Sequence, residues 1–321
     1  MVMLDIHLAH TQGFCAGVSS AIEIVELAIA KYGVPLYVRH EIVHNTKIIQ
    51  DFKKRGVIFI EDLADVPDNV PVVFSAHGTA PDVYEAAQKR GVHIIDATCP
   101  LVTKVHRQAL RYSKRQIPTI LIGHRGHQEL IGTAGYVNDE LLYIVETEDD
   151  IAEIKLDADT ELGILTQTTL SVSDTADLIS AIKKRFPNVI TGNKEDICYA
   201  TQNRQDAVQE LAEFCELIII CGSPNSSNSN RLRECAASAG RESIIIDSKQ
   251  ELDWSLLEGK TCIGISSGAS VPSEIVDDLV RDIQTRYPDS KLHQKDSIEK
   301  GILFPLPEEM AQFKASRKKL E

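Results

Sequence analysis

Hydrophobic and polar positions along the chain follow two alternating rhythms. Short apolar runs, bounded by Gly, Pro, Asn or Asp, are followed by longer stretches in which apolar residues recur every three or four positions. In the first third, VPLYVRH, GVIFI, VPVVFSA and VHIIDA are predicted strands, and the helical rhythm covers 17–32, 46–55 and 81–90. In the second, TILIG, LYIV, LGILT and NVITG are strands, and SVSDTADLISAIKKRF is a strongly amphipathic helix. In the last, LIIICG, SIIID and CIGIS are strands and VPSEIVDDLVRDIQTRY is a helix. Strands alternating with helices from end to end predict an α/β fold rich in parallel sheet.

The rhythm repeats on a larger scale. Cys15, Cys99 and Cys198 each precede a helical run, then an apolar run, then a polar loop: VHN, GHRGHQE and SPNSSNSN. His44 lies 29 residues after Cys15, His127 lies 28 after Cys99, and Ser226 lies 28 after Cys198. Self-similarity at a fixed period marks repeated supersecondary units. The expectation is three similar α/β repeats in a pseudo-threefold trefoil, over 16–99, 100–195 and 196–285. The strand in 1–15 completes the third repeat, and 286–321 forms a C-terminal tail with one short helix. Three thiols at equivalent positions in such a trefoil suit one central metal cluster.

Composition narrows the class. Of the 321 residues 43% are hydrophobic and 25% charged, as in a soluble globular protein. The net charge of −13 disfavours nucleic acid, whose binding rests on clustered Lys and Arg. No apolar stretch approaches the ~18 residues of a membrane span. The start MVMLDIHLAHTQ lacks a basic, apolar signal, so the expected location is the cytoplasm. Seven cysteines in such a chain argue against a disulfide framework. Cys215, Cys221, Cys235 and Cys262 sit in or beside apolar runs and are expected to be small buried hydrophobes.

Cys15, Cys99 and Cys198 differ, because they stand at loop-to-helix junctions, where thiolates are stabilised. Zinc sites favour paired C-x-x-C spacings, and none is present. Widely spaced single thiolates suit an iron–sulfur cluster, and three instead of four leave one iron open to chemistry. Spacing alone leaves three ordinary cysteines equally open. The loops add weight. His44, His77, the Ser226–Asn230 run and Ser270 lie where strands turn into helices, and such turns bind phosphate groups. N-capping is the plainer use of a single such loop. Glu129 is the one acid beside these loops, a candidate proton donor if burial raises its pKa. The run Thr166-Gln167-Thr168-Thr169 is polar at a strand end and could hydrogen-bond an acid or a substrate hydroxyl, a weak signal by itself. No P-loop or dinucleotide fingerprint occurs, so electrons for a reduction would come from a partner protein.

Taken in order, GFCAGV, VHN, SAHG, DATCPLVTKVH, GHRGHQE, TQTTLSV, DICYATQNRQ, SPNSSNSNRL and SSGAS resemble the 4-hydroxy-3-methylbut-2-enyl diphosphate reductase family. That family catalyses the last step of isoprenoid synthesis by the methylerythritol phosphate pathway. The resemblance implies that Cys15, Cys99 and Cys198 hold a 4Fe–4S cluster whose fourth iron is open. It implies that His44, His77, Ser226, Asn228 and Ser270 bind the substrate diphosphate, with His127 and Ser227 lining the same cavity. Thr168 and Glu129 would sit by the allylic hydroxyl, Glu129 as the proton source. The implied reaction removes that hydroxyl as water with two electrons and two protons, giving isopentenyl and dimethylallyl diphosphate. Ferredoxin or flavodoxin would supply the electrons.

The chain departs from the family pattern at Arg125 and Gln128 in GHRGHQE, Pro224 in SPNSSN, and Ser267, Val271 and Ser273 after β-strand CIGIS. None replaces a proposed ligand or acid. The rival reading is an open-iron 4Fe–4S hydro-lyase acting on another small anion. It would eliminate water without net redox change. A regulatory iron–sulfur protein and a zinc-binding structural protein are more distant alternatives.

Overall fold

The computed structural model describes residues 3–191 and 196–317. The stretch 192–195, which carries the expected boundary at 195, and the charged end 318–321 lie outside the described residues. The chain runs through β1 (Asp5–Leu8), α1 (Ala16–Tyr32), β2 (Leu36–Arg39), α2 (Thr46–Lys54), β3 (Val57–Ile60), β4 (Val72–Phe74), α3 (Pro81–Lys89) and β5 (Ile94–Asp96). It continues through α4 (Pro100–Lys114), β6 (Thr119–Ile122), α5 (Gln128–Ala134), β7 (Leu142–Val145), α6 (Glu148–Glu153), β8 (Leu162–Thr166), α7 (Val172–Arg185) and β9 (Val189–Thr191). The last part comprises α8 (Tyr199–Ala212), β10 (Leu217–Cys221), α9 (Ser227–Ser238), β11 (Glu242–Ile246), β12 (Cys262–Ser267), α10 (Ser273–Arg286), β13 (Lys291–His293) and α11 (Glu308–Arg317).

Among the described residues three sheets share one strand order. They run β3-β2-β4-β5, β7-β6-β8-β9 and β11-β10-β12-β1, the third extended by β13. Each ladder among the described residues is parallel. Parallel sheets are covered on both faces, which is why ILI of β6 and LIIIC of β10 are apolar and wholly buried. The N-terminal strand β1 pairs with β12, Asp5 opposite Cys262. The tail contributes more than the one helix expected for it. The segment KLH adds β13 beside β1, and α11 sends Met310 into the core lined by Ile24 and Val25. The pattern could not announce β13, because all three of its residues are exposed and none carries an inward apolar side chain.

By compactness the chain divides into two lobes. A one-sheet lobe comprises the N-terminal segment through Ala16, His44–Lys47 and Cys198–Ile302. A two-sheet lobe comprises Gly17–Val43, Ile48–Ile197 and the segment from Leu303 onward. Among the described residues no helix is long and apolar enough to cross a membrane.

Candidate functional site

In the one-sheet lobe the candidate residues gather at the carboxyl ends of β1, β10 and β12, the edge at which parallel α/β sheets bind ligands. The loop after β1 is sewn to the end of β12: Gly13 N donates to Ser267 Oγ at 3.0 Å, and Cys15 N donates to Ala269 O at 3.0 Å. Helix α9 approaches this edge closely. A Cβ at Gly222 would stand 2.6 Å from Ser229 Cβ, so the CGS turn needs glycine, and one at Gly268 would displace the Ser229 hydroxyl, 2.1 Å away. Ser226 caps α9, its Oγ accepting from Ser229 N at 3.3 Å, and Ser227 is the first residue of that helix.

Asn228 joins the turn after β12 to the first turn of α8. Its Oδ1 accepts from Ala269 N at 3.0 Å, and its Nδ2 donates to Thr201 Oγ1 at 3.5 Å. Thr201 Oγ1 lies 3.2 Å from Cys198 Sγ, and Thr201 N donates to that sulfur at 3.4 Å. A continuous hydrogen-bonded path therefore runs from the Cys15 amide through Ala269, Asn228 and Thr201 to the Cys198 sulfur. Ser270 Oγ donates to the His44 carbonyl at 2.8 Å, placing the VHN loop beside the same turn. Beneath them lies Arg204, fully buried. It donates to Gly13 O and Ala200 O, each at 2.9 Å, and pairs with Glu299 of the tail at 3.0 Å.

The two-sheet lobe holds the other half of the candidates. Cys99 N donates to Ala76 O at 3.0 Å, which fixes the start of α4 against the SAHG turn after β4. Gly78 adopts φ +86°, and a Cβ there would lie 2.5 Å from the His106 ring, so no other residue fits behind His77. The His77 and His127 rings meet edge to face at 6.0 Å. His127 caps α5 by accepting from Glu129 N at 3.2 Å. Glu129 is 3% exposed and receives Thr168 N at 2.6 Å and Thr168 Oγ1 at 2.9 Å. Burial pushes its pKa up to about 7 against the lowering effect of the two Thr168 bonds, and nearby Asp196 adds to the rise. The carboxyl is thus poised to gain and lose a proton near neutrality. Gln167 locks the adjoining loops, accepting from His124 N at 3.1 Å and donating to Thr169 Oγ1 at 2.9 Å.

The candidate residues are therefore divided. Cys15, His44, Cys198, Ser226, Ser227, Asn228 and Ser270 belong to the one-sheet lobe, and His77, Cys99, His127, Glu129 and Thr168 to the two-sheet lobe. Gln167 belongs to the polar TQTT run that the sequence marks, but it bonds His124 N and Thr169 and not an acid; Thr201 and the Arg204–Glu299 pair carry no such mark in the sequence. Thr201 was still accessible to sequence reasoning: it stands three residues beyond Cys198, where a helix-capping side chain finds its donor.

The donor set fits an iron–sulfur cluster in kind. Cys15, Cys99 and Cys198 each directly precede the first residue of a helix, and no cysteine is in a disulfide. Among the described residues no three His, Cys, Asp or Glu side chains gather as ligands of a single ion. Cluster thiolates each bind a different iron and need not converge on one point.

The LytB protein family's model matches residues 6–284. The chain belongs to the LytB family. Its LytB relatives include a 4-hydroxy-3-methylbut-2-enyl diphosphate reductase of Dechloromonas aromatica, 47% identical over 307 residues, 96% of this chain and 100% of the relative. Another from Neisseria meningitidis serogroup C is 45% identical over 303 residues, 94% of each chain. A solved LytB-type structure, the E-1-hydroxy-2-methyl-but-2-enyl-4-diphosphate reductase from Plasmodium falciparum, superposes with a TM-score of 0.94 at 35% identity. It covers 98% of this chain and 99% of its own.

Proposed function

We propose that the protein reduces (E)-4-hydroxy-3-methylbut-2-enyl diphosphate to isopentenyl and dimethylallyl diphosphate, the closing step of the methylerythritol phosphate pathway. One substrate, two electrons and two protons give one allylic or homoallylic diphosphate and one water. Cys15, Cys99 and Cys198 are the ligands of a 4Fe–4S cluster. When bound, such a cluster supplies the electrons and a Lewis acid for departure of the hydroxyl.

The chain's own residues do the rest. The N-terminus of α9, with Ser226, Ser227 and Asn228, offers hydroxyl, amide and main-chain N–H donors to a diphosphate. His44, His77 and Ser270 add imidazole and hydroxyl donors. Neutral and imidazole donors suffice here because helix termini carry part of the positive potential. Glu129 holds a proton for the leaving hydroxyl, Thr168 fixes both carboxylate oxygens, and His127 orients the start of α5 beside them. The observation that carries this reading is the Glu129–Thr168 pair: an acid removed from water, doubly held, and shifted to about 7. The electron donor in this reading is ferredoxin or flavodoxin, and the protein acts in the cytoplasm.

The test is iron and sulfide analysis of anaerobically reconstituted protein, with electron paramagnetic resonance of its reduced form. The proposal expects a stoichiometry of four irons per chain and a spectrum perturbed by the allylic diphosphate. Substitution of Cys15, Cys99 or Cys198 by Ser should remove the cluster or its activity. A fully active, intact cluster in any of the three variants would refute the ligand set.

A further inference from the structure

Two of the cysteines outside the candidate site touch each other. Cys215 Sγ and Cys262 Sγ lie 3.6 Å apart, although 47 positions separate them along the chain. We propose that Cys215 and Cys262 form a redox-active thiol pair that closes to a disulfide when the protein meets a small-molecule disulfide such as oxidised glutathione.

The backbone brings the two residues side by side. Cys215 stands just ahead of β10, and Cys262 opens β12, its parallel neighbour. Glu216 N donates to Cys262 O at 3.0 Å, so the two chains are in ladder contact at this level. The register sets Cys262 opposite Glu216, one residue along from Cys215; with strands about 4.8 Å apart and a rise of about 3.3 Å per residue, the two Cα atoms fall within the roughly 4.4–6.8 Å that a disulfide spans. Both sides are held: Cys215 N donates to Leu211 O at 2.9 Å, and the Glu216 carboxylate accepts from Thr261 N at 2.7 Å and Cys262 N at 3.4 Å. Gly264 keeps the space beside Cys215 clear, since a Cβ there would lie 3.3 Å from its sulfur.

Exposure sets the order of events. Cys215 is fully buried, whereas Cys262 is partly exposed. The Cys262 thiolate attacks a sulfur of the oxidant, releasing one glutathione thiolate and leaving a mixed disulfide. Cys215 then attacks the Cys262 sulfur, expelling the second glutathione. Two protein thiols are oxidised, one disulfide is reduced to two thiols, and two protons are balanced between them. Burial raises the pKa of both thiols; Asp5 and Glu216 add to the rise at Cys262, and Arg241 opposes it at Cys215. Closure is therefore slow at neutral pH and faster in base. The pair sits at the amino ends of β10 and β12, whereas Ser267–Ser270 and Ser226 lie at their carboxyl ends. Closure pins the two strands together without touching the candidate site.

The test exposes anaerobically purified holoprotein to oxidised glutathione at pH 8, then blocks remaining thiols with iodoacetamide under denaturing conditions and maps the peptides by mass spectrometry. The expected result is a peptide pair joined through Cys215 and Cys262, released by dithiothreitol and absent from Cys262→Ser. Recovery of both residues as alkylated thiols, or of a stable glutathione adduct on Cys262 with Cys215 alkylated, would overturn the proposal.

Discussion

At the residue scale, Glu129 concentrates the chemistry. Desolvation holds its carboxyl near neutrality, so the folded state binds a proton that the unfolded chain releases at about 4.5. A raised carboxyl pKa stabilises the fold relative to the ionised form only below the unfolded value, and that advantage drains away as pH rises from about 4.5 to about 7. Above this window the buried anion costs on the order of 3 kcal/mol. Glu129→Gln should therefore flatten the pH dependence of Tm and raise Tm at pH 8 relative to the parent, as differential scanning calorimetry would show. It should also abolish turnover with little change in substrate affinity, and parental turnover should fall as pH passes about 7. A variant that turned over normally would remove the acid role. Asn228→Ala tests another residue: it strips the acceptor from Ala269 N and the link to Thr201. Diphosphate affinity should drop, and the unpaired amide should cost about 1–3 kcal/mol of stability. Unchanged affinity in a binding titration would take Asn228 out of the site. Glu129 and Thr168 were legible as polar residues near one another in function. Their contact was not, because 39 positions separate them and only tertiary structure brings the carboxylate to the Thr168 amide.

Elements tell a similar story with a different boundary. The helices over 16–32, 46–54 and 81–89 were readable almost to the residue from their three-and-four spacing, as was α10. Long apolar runs such as LIIIC were equally plain, because a strand buried on both faces has no polar alternation to confuse it. The tail was not, since β13 is defined by pairing with β1 and not by its own pattern. That tail carries Glu299, the partner of the fully buried Arg204, which in turn holds the carbonyls of Gly13 and Ala200 two residues from Cys15 and Cys198. Removing one member of a buried ion pair strands the other charge at a cost of roughly 3–5 kcal/mol. Glu299→Ala should accordingly lower Tm by about 10 °C, measured on the metal-free protein, with Glu299→Gln less affected because it keeps a hydrogen-bond acceptor. A Tm unchanged in Glu299→Ala would show that the tail does not hold Arg204.

For the whole molecule, the repeat is the organising fact. Three sheets with one strand order set each of Cys15, Cys99 and Cys198 immediately ahead of a helix, and the LytB family spans the three. The near-equal spacing from Cys15 to His44, Cys99 to His127 and Cys198 to Ser226 exposed this repeat in the sequence, because each interval encloses one helix, one strand and one turn. The division of the chain into a one-sheet and a two-sheet lobe was hidden, since it depends on which helices pack together and not on any local pattern. The most direct measurement of the proposed reaction is electron stoichiometry. Anaerobic, reconstituted protein is given reduced methyl viologen and (E)-4-hydroxy-3-methylbut-2-enyl diphosphate, and viologen oxidation is followed beside product analysis. A reductase consumes two viologens for each substrate converted to isopentenyl or dimethylallyl diphosphate. Conversion of substrate without viologen oxidation would mark a hydro-lyase, and no conversion by fully loaded protein would contradict the reaction altogether.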